Sequence, residues 1–557
     1  MKHSILFMML ILCPHIGAWA QATSSPEEPA LSAIRPEAIR AHMRFLSDSL
    51  LQGRGVGTPG YQIAARYVAA QLEAADLHPA GADGNWFQTV PLRKAVCDDG
   101  KSSLVLVNGG GEQVLVPLKD YVLFGNLNQT ENTVEAPLVF VGFGVSATER
   151  GYDDYAGADV RNKIVVTLLG APAKFPSTVR AYYSDYLVKQ RIAVAHGAVG
   201  YVEIMMPEDR KRLPWEWFMP QIQMGNAAWL DTKGHAHNGF PEIRAYAMMS
   251  PSGTEKLFAG AGKTLDQIFE TARSGRPQSF ALPASARVHT ISAHTSADSP
   301  NILGEIAGSD PVLRNQFVVY SAHVDHLGIC PPKNGDNVCH GALDNASGTA
   351  SLLEIAHAFA SLPKAPRRSV LFLFVTGEEM GLLGSDYFAN FPTVSRQAIV
   401  ADINIDGAPG LLYPMKDLVA LGVEHSSLEQ PAQSAAARIG YLLSPDPEPE
   451  ENMFIRSDQY SFVQQGIPAV FIGDGIHAVD PAVDGLKMQK EWAVTKYHTP
   501  LDNMDQLLDY DSGARASRVN FLLGYEVAQQ EAAPAWNKGD FFGDEFGPRH
   551  SGEGPAK

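Results

Sequence analysis

The sequence predicts an α/β fold: a three-layer sandwich with a mostly parallel central sheet, interrupted by a β-rich insertion. Three observations predict it. First, the apolar runs QFVVYSAH, SVLFLFVTGEE, AIVADINID and AVFIGDG read as strands buried on both faces. Second, these runs alternate with helical periodicity. The segment ASGTASLLEIAHAFASL places Leu352, Ile355 and Phe359 on one face, and such alternation argues for a parallel sheet covered by helices. Third, from about residue 100 to 290 the pattern changes to short β-rich runs, SLVLV, APLVFVGFGV and KIVVTLLG, with one helical segment, YLVKQRIAVAHGAVGYVEIM.

Taken in order, residues 1–20 read as a secretory signal peptide: Lys2, the apolar stretch ILFMMLILC, then Ala18-Trp19-Ala20 before Gln21. That stretch is too short for a stable bilayer anchor. Cys13 follows Leu12, a bulkier residue than lipoprotein sites accept. Residues 21–34 are small, acidic and Pro-containing, and read as a flexible leader. A helix is expected in IRPEAIRAHMRFLSDSL, with Pro36 and Glu37 in its first turn. A second follows, with Thr58 as N-cap, Pro59 as first residue, and Ile63, Tyr67 and Ala70 on one face. The main domain is thus expected in two parts, 35–105 and 291–530, around an insertion at 106–290. PNILGEIAG marks the strand where it resumes. From 531 to 557 Gly, Pro and charge with little periodicity suggest a mobile tail.

With 557 residues, 45% hydrophobic and 19% charged, the chain is globular and long enough for more than one domain. A net charge of −17 makes bulk electrostatic binding of nucleic acid or anionic lipid a poor expectation. No second stretch of about 18 apolar residues suggests a membrane span. The expected location is therefore periplasmic or secreted. Beyond the signal peptide remain Cys97, Cys330 and Cys339. The last two bracket CPPKNGDNVC, and an exported protein permits a disulfide there. Cys-ligated zinc is the alternative for the pair, without CxxC spacing to support it.

Five metal-type residues follow apolar or turn segments: His323 in SAHVDHLG, Asp344 in GALDNASGTA, Glu379 in VTGEEMGLLGS, Asp406 in NIDGAP and His498 in KYHTPLDNMD. In an open α/β sheet, residues at the carboxyl ends of strands converge although far apart in sequence. Two His and three carboxylates suit zinc, and one carboxylate can bridge two ions. Asp325 lies two residues after His323 and so leaves the strand on the same side, where it can accept from the imidazole nitrogen that faces away from metal. An isolated HxD reads instead as a core His beside a solvated Asp. Asp344 alone could be a helix cap. Glu378 and Glu379, adjacent on a turn, point in different directions, so one can bind metal while the other faces water. Asp502 is a plausible partner for His498. His326, His340, His425 and His477 lie off the pattern and read as unrelated to it.

These motifs resemble the co-catalytic di-zinc aminopeptidase family, which includes aminopeptidase Y, bacterial leucyl aminopeptidases and glutamate carboxypeptidase II. The resemblance covers about residues 35–95 and 295–525. It implies a zinc-aminopeptidase-type sandwich holding two zinc ions per chain. His323 and Asp406 would hold one ion and Glu379 and His498 the other, with Asp344 as bridge and Glu378 as general base. The order of GFGV, YDDYAGADVRNKIVV and HGAVGYV in the insertion resembles a protease-associated domain. In relatives a segment like Arg456–Phe462 lines the site, where Tyr460 is either a donor to the tetrahedral oxyanion or an ordinary buried Tyr.

The resemblance implies an exported metallo-aminopeptidase acting on peptides with a free N-terminus, with no nucleic-acid partner and no stable membrane span. Rivals on the same scaffold are a carboxypeptidase or dipeptidase and a single-zinc glutaminyl cyclase. Retention of both His323 and Asp406 argues against the cyclase. A non-catalytic receptor-like protein would have lost ligands, whereas all five are present.

Overall fold

A computed structural model describes residues 27–547 apart from 213 and 217–224. The expected signal peptide lies outside the described residues, as do 21–26 and 548–557.

Four parallel strands form the centre of the main sheet, in the order Ser369–Val375, Phe317–His323, Ile399–Asn404 and Ala469–Asp474. Their β-branched and aromatic residues are buried on both sides, as a helix-covered parallel sheet requires. Alternate residues serve opposite layers. Val318, Tyr320, Phe372 and Phe374 join one core, and Val319, Leu371, Leu373 and Val375 the other. On the first face lie Pro36–Leu46, Pro59–Ala74, Gly348–Ala360 and Tyr510–Gln529. On the second lie the shorter Leu383–Asn390, Gln459–Val463 and Phe541–Phe546. Asp417–Leu421 closes one side antiparallel to Ala469–Asp474.

The opposite side explains how the insertion attaches. One strand of 27 residues, Phe280–Ile306, belongs to both halves. Its residues 302–306 pair with Ser369–Val375 and its residues 292–302 with Phe87–Cys97. Its N-terminal part instead pairs with Ser103–Asn108 and Glu131–Phe140 of a second sheet. That sheet continues in parallel through Ile164–Leu168, Gly200–Ile204 and Tyr246–Met249. The expected boundary at 290/291 therefore falls inside a continuous strand. The segment read as one helix, YLVKQRIAVAHGAVGYVEIM, is the helix Tyr186–Ala195 followed by the strand Gly200–Ile204. The β-branched residues at the end of that segment are absorbed by the second sheet.

Three further expectations are corrected. The leader is not loose at 28–34. Glu28–Ala33 is a helix, Ala30 and Ile34 are buried, and Arg518 donates to the carbonyls of Leu31 and Ile34 (both 3.0 Å). Six residues carry too little periodicity to show this, and tertiary burial supplies the stability. Thr58 caps its helix as expected, but the buried face is Tyr61, Ala64, Ala65, Val68 and Leu72. Ile63 is 47% exposed, so the true face lies one position round from the expected one.

The tail is also structured through 547. Trp536 Nε1 donates to the Gly466 carbonyl (2.8 Å), and Phe542 is wholly buried against Phe454, Tyr460 and His425. Phe541 meets Tyr182 of the insertion edge-on, so the segment straps the two halves together. Its aromatics carry no regular period, which is why the sequence reads as mobile. Phe542→Ala should cost about 3–5 kcal/mol, the usual range for a buried Phe. Thermal unfolding and limited proteolysis near 530 measure this; an unchanged midpoint and an uncut tail would show that the strap contributes nothing.

Cys330 and Cys339 form a disulfide across the hairpin Gly328–Lys333 and Asp336–Cys339, and Cys97 is free. Breaking it in a Cys330→Ser/Cys339→Ser double variant should lower stability by about 2–3 kcal/mol, by restoring freedom to the unfolded loop. Denaturant titration of the variant under oxidising conditions checks it, and an unchanged midpoint would refute it.

A candidate two-ion metal centre

The carboxyl ends of the central strands carry the site. His323 is the last residue of its strand, Glu378 and Glu379 follow Ser369–Val375 through Thr376 and Gly377, and Asp406 lies two residues past Asn404. Gly377 has φ of 71°, the left-handed turn that swings the chain back and presents two adjacent acids. Asp344 and His498 come from loops that fold over these ends.

The structure brings all five ligand candidates together, in two groups that share Asp344. His323 Nε2 lies 3.4 Å from Asp344 Oδ1 and 3.2 Å from Asp406 Oδ1. His498 Nε2 lies 3.2 Å from Asp344 Oδ2 and 3.1 Å from Glu379 Oε2. Tetrahedral zinc with bonds near 2.0–2.1 Å separates its ligands by about 3.3 Å. Both groups therefore have the spacing of a zinc shell. Asp344 Oδ2 and His498 Nε2 are buried without a hydrogen bond, although such atoms normally find one. A cation between them would satisfy both.

Electrostatics point the same way. Burial alone would lower the His323 imidazole, but Glu378 and Asp406 outweigh it and hold its pKa well above the ordinary value. His498 behaves alike: burial opposes, and Glu379 and Asp344 raise it to about 10. Burial would raise Asp344, yet His326, His323 and His498 hold it well below the carboxylate range. The acids outnumber the cations so far that the imidazoles are driven toward the protonated state. A bound metal would supply that positive charge instead and leave the imidazoles free to ligate.

Local hydrogen bonds set the ligands. His323 Nδ1 donates to the main-chain carbonyl of Asp325 (3.1 Å), which leaves the Nε2 lone pair facing the acids. The expected partner was the Asp325 carboxylate. It instead accepts from the Glu378 main-chain N–H (3.3 Å) and steadies that turn. Burial pushes the Asp325 carboxyl up to about 7, with His323 opposing. Asp502 likewise serves a different group from the expected His498. Its carboxylate accepts from the main-chain N–H of Leu343 (2.9 Å) and Asp344 (3.1 Å), so it holds the bridging loop. Asn345 is fully buried. It donates to the Ile405 carbonyl and accepts from Gly348 and Gly407, tying the Asp344 loop to the Asp406 loop. Ser457 Oγ donates to Asp406 Oδ2 (2.8 Å).

Glu378 lies with His323 and Glu379, one ligand atom of each within 4.8 Å of the others. Burial, with Asp406 and Glu379 adding and His323 opposing, pushes its carboxyl well above the ordinary value. It is thus a carboxyl able to carry a proton beside the metal groups.

Tyr460 does not fit its expected role. It is buried against Phe542, and after burial the largest influences on its hydroxyl are Asp185 and Tyr182 of the insertion. Ser457, just before that helix, is the residue of this segment that reaches the metal groups, through Asp406.

Sequence reasoning passed over three residues. His326 is in the cluster, with Nδ1 2.5 Å from Glu379 Oε1. Tyr497 stacks on His498 at 3.7 Å between ring centroids. Arg54 is buried and donates to the carbonyls of Leu46, Val324 (2.8 Å), His340 (2.7 Å) and Gly341 (3.0 Å). Burial lowers its pKa to about 10 against the pull of Asp344, Asp502, Asp325 and Glu379. The signal available was Arg54 in QGRGVG, where glycines let a charged chain run close to others. A Cβ on Gly53, at φ of 68°, would lie 2.4 Å from the Gly328 carbonyl oxygen. His340 bonds Asp336, His425 bonds Asp540 and His477 bonds Asp417, all outside the cluster.

Comparison with known proteins agrees with this geometry. The chain is similar to aminopeptidase NAALADL1 of Mus musculus, 28% identical over 255 residues that cover 38% of this chain and 32% of that relative. It is similar also to leupeptin-inactivating enzyme 1 of Streptomyces exfoliatus, 27% identical over 254 residues, covering 43% of this chain and 52% of the relative. The chain thus spans about a third of the first and about half of the second. Among solved structures, the aminopeptidase from Aneurinibacillus sp. strain AM-1 shares the fold, with a TM-score of 0.53 at 18% identity over 90% of this chain and 95% of that one. Residues 301–523, which contain all five ligand candidates and Glu378, match the model of peptidase family M28. Over that stretch, less than half of its length, the chain is similar to peptidase family M28.

Proposed function

We propose that this protein is an exported zinc aminopeptidase that removes N-terminal residues from peptides, with two zinc ions and Glu378 as general base. The observation that carries the reading is the pair of ligand groups, each spaced at 3.1–3.4 Å, that share Asp344. His323, Asp406 and one oxygen of Asp344 would hold one ion; His498, Glu379 and the other oxygen would hold the second. Zinc bound there supplies Lewis acidity, polarising a carbonyl and lowering the pKa of water from 15.7 to about 7. Glu378 takes a proton from the attacking water and returns it to the leaving amine. Its raised carboxyl and its turn, steadied by Asp325, suit a group that changes protonation without leaving its place. Asp502, Asn345 and Ser457 hold the loops, so the ligands meet without reorganisation.

The names of the relatives favour an aminopeptidase, and the acids of the site suit a substrate ammonium. Arg54 does not offer a carboxylate pocket, because its guanidinium is committed to four main-chain carbonyls. Arg456 is the observation that favours a second reading, a carboxypeptidase or dipeptidase. It is half exposed and close enough to Tyr497 to lower that phenol against burial. Aminoacyl reporter substrates, with and without N-terminal blocking groups, separate the two readings. An aminopeptidase cleaves only the free-amine series and stops on chelation. Cleavage of the blocked series, dependent on a free C-terminal carboxylate, would overturn the aminopeptidase. The insertion is read as a protease-associated-like unit covering one side of the domain. Trp229 within it donates to Asp386 (2.7 Å) and packs on Leu383, just after the Glu378–Glu379 turn. Among the described residues no helix is long and apolar enough to cross a membrane.

A further inference from the structure

We propose that His326 is a positioning residue that holds Glu379 to one-oxygen coordination and so sets the strength of one metal site. The inference rests on the two-ion reading above. Glu379 presents its two oxygens to different partners: Oε2 faces His498 Nε2 at 3.1 Å, and Oε1 meets His326 Nδ1 at 2.5 Å. These distances separate two roles. Ligands on a common zinc stand about 3.3 Å apart, whereas a charge-assisted N–H···O bond draws its atoms under about 3 Å. His326 and Glu379 are too close to share an ion and close enough to share a proton. His326 Nδ1 therefore donates, and Glu379 Oε1 is withdrawn from the metal.

The same nitrogen lies 3.7 Å from Asp344 Oδ2, well beyond its distance to Glu379. His326 is buried, and its main-chain N–H donates to the Arg54 carbonyl (3.3 Å). It packs so tightly on the Asp344 loop that a Cβ on Gly341 would lie 2.6 Å from its Cγ. Its ring meets His498 edge-on at 5.7 Å. A carboxylate free to rotate binds metal through either oxygen or both. One tied at Oε1 keeps Oε2 aimed at the His498 side, and that preorganisation adds to affinity.

The test is zinc titration of chelator-stripped full-length protein by calorimetry with a competing chelator. Thermal unfolding of each metal-free form confirms that the fold is kept. Wild type should bind two ions. His326→Leu should bind two, with one site weakened about 10–100-fold, the usual worth of a partner behind a metal ligand. His326→Asn, whose amide N–H can stand in for Nδ1, should recover most of that loss. Two unchanged affinities in His326→Leu would show that the ring only packs. Complete loss of one ion in both variants would make His326 a ligand and overturn the proposal. Fewer than two ions in wild type would instead overturn the two-ion reading on which it rests.

Discussion

Glu378→Gln is expected to bind the same zinc as wild type, keep its fold, and lose about 10²–10⁴-fold in turnover, the scale of general acid–base catalysis. Gln preserves size and hydrogen bonding but cannot carry the proton. The two metal groups are complete without Glu378, since each already has a His, an acid and an oxygen of Asp344. Glu379→Gln should do the opposite. It removes charge from the site that holds Oε2 near His498, so one ion is lost at low zinc and activity returns partly as zinc is raised. Metal analysis beside steady-state kinetics distinguishes the pair. If Glu378→Gln lost an ion and Glu379→Gln kept both, the roles would be exchanged.

Asp344→Asn should have the second large effect, because one side chain serves both groups. Each of its oxygens faces a different imidazole, at 3.4 Å from His323 and 3.2 Å from His498. An amide offers one oxygen and no charge, so both sites weaken together. The loss at each should exceed the roughly 10–100-fold worth of an outer partner. Activity should fall to background, and zinc content should drop below one per chain after dialysis. Excess zinc that restored full activity would show that Asp344 does not bridge.

The parallel centre of the fold was legible because its strands are long apolar runs broken by glycine and acid. The five ligand candidates were legible because each sits at a fixed place, a strand end or loop, beside residues of distinctive type. What was misread shares one cause. The 531–547 strap and the Glu28–Ala33 helix are held by partners 70 or more residues away, Tyr182 and Gly466 for one, Arg518 for the other. Local pattern carries no record of such partners. Asp325 and Asp502 were placed correctly near the site but assigned the wrong neighbours, since a carboxylate can turn toward any donor within reach. Tyr460 packs against Phe542 of the strap, a contact that local pattern does not record.

The sequence by itself determined the α/β class and the set of acids and imidazoles fit to hold metal. Those depend on hydrophobic period and residue type, which are local properties. Tertiary structure alone decided that Asp344 offers one oxygen to each imidazole and that Arg54 is buried with its guanidinium on four main-chain carbonyls. It also decided that His326, set aside as an unrelated histidine, lies with Nδ1 2.5 Å from Glu379 Oε1. Differences of about 1 Å separate a ligand from a hydrogen-bonded neighbour, and only the packing of loops against one another sets distances that fine.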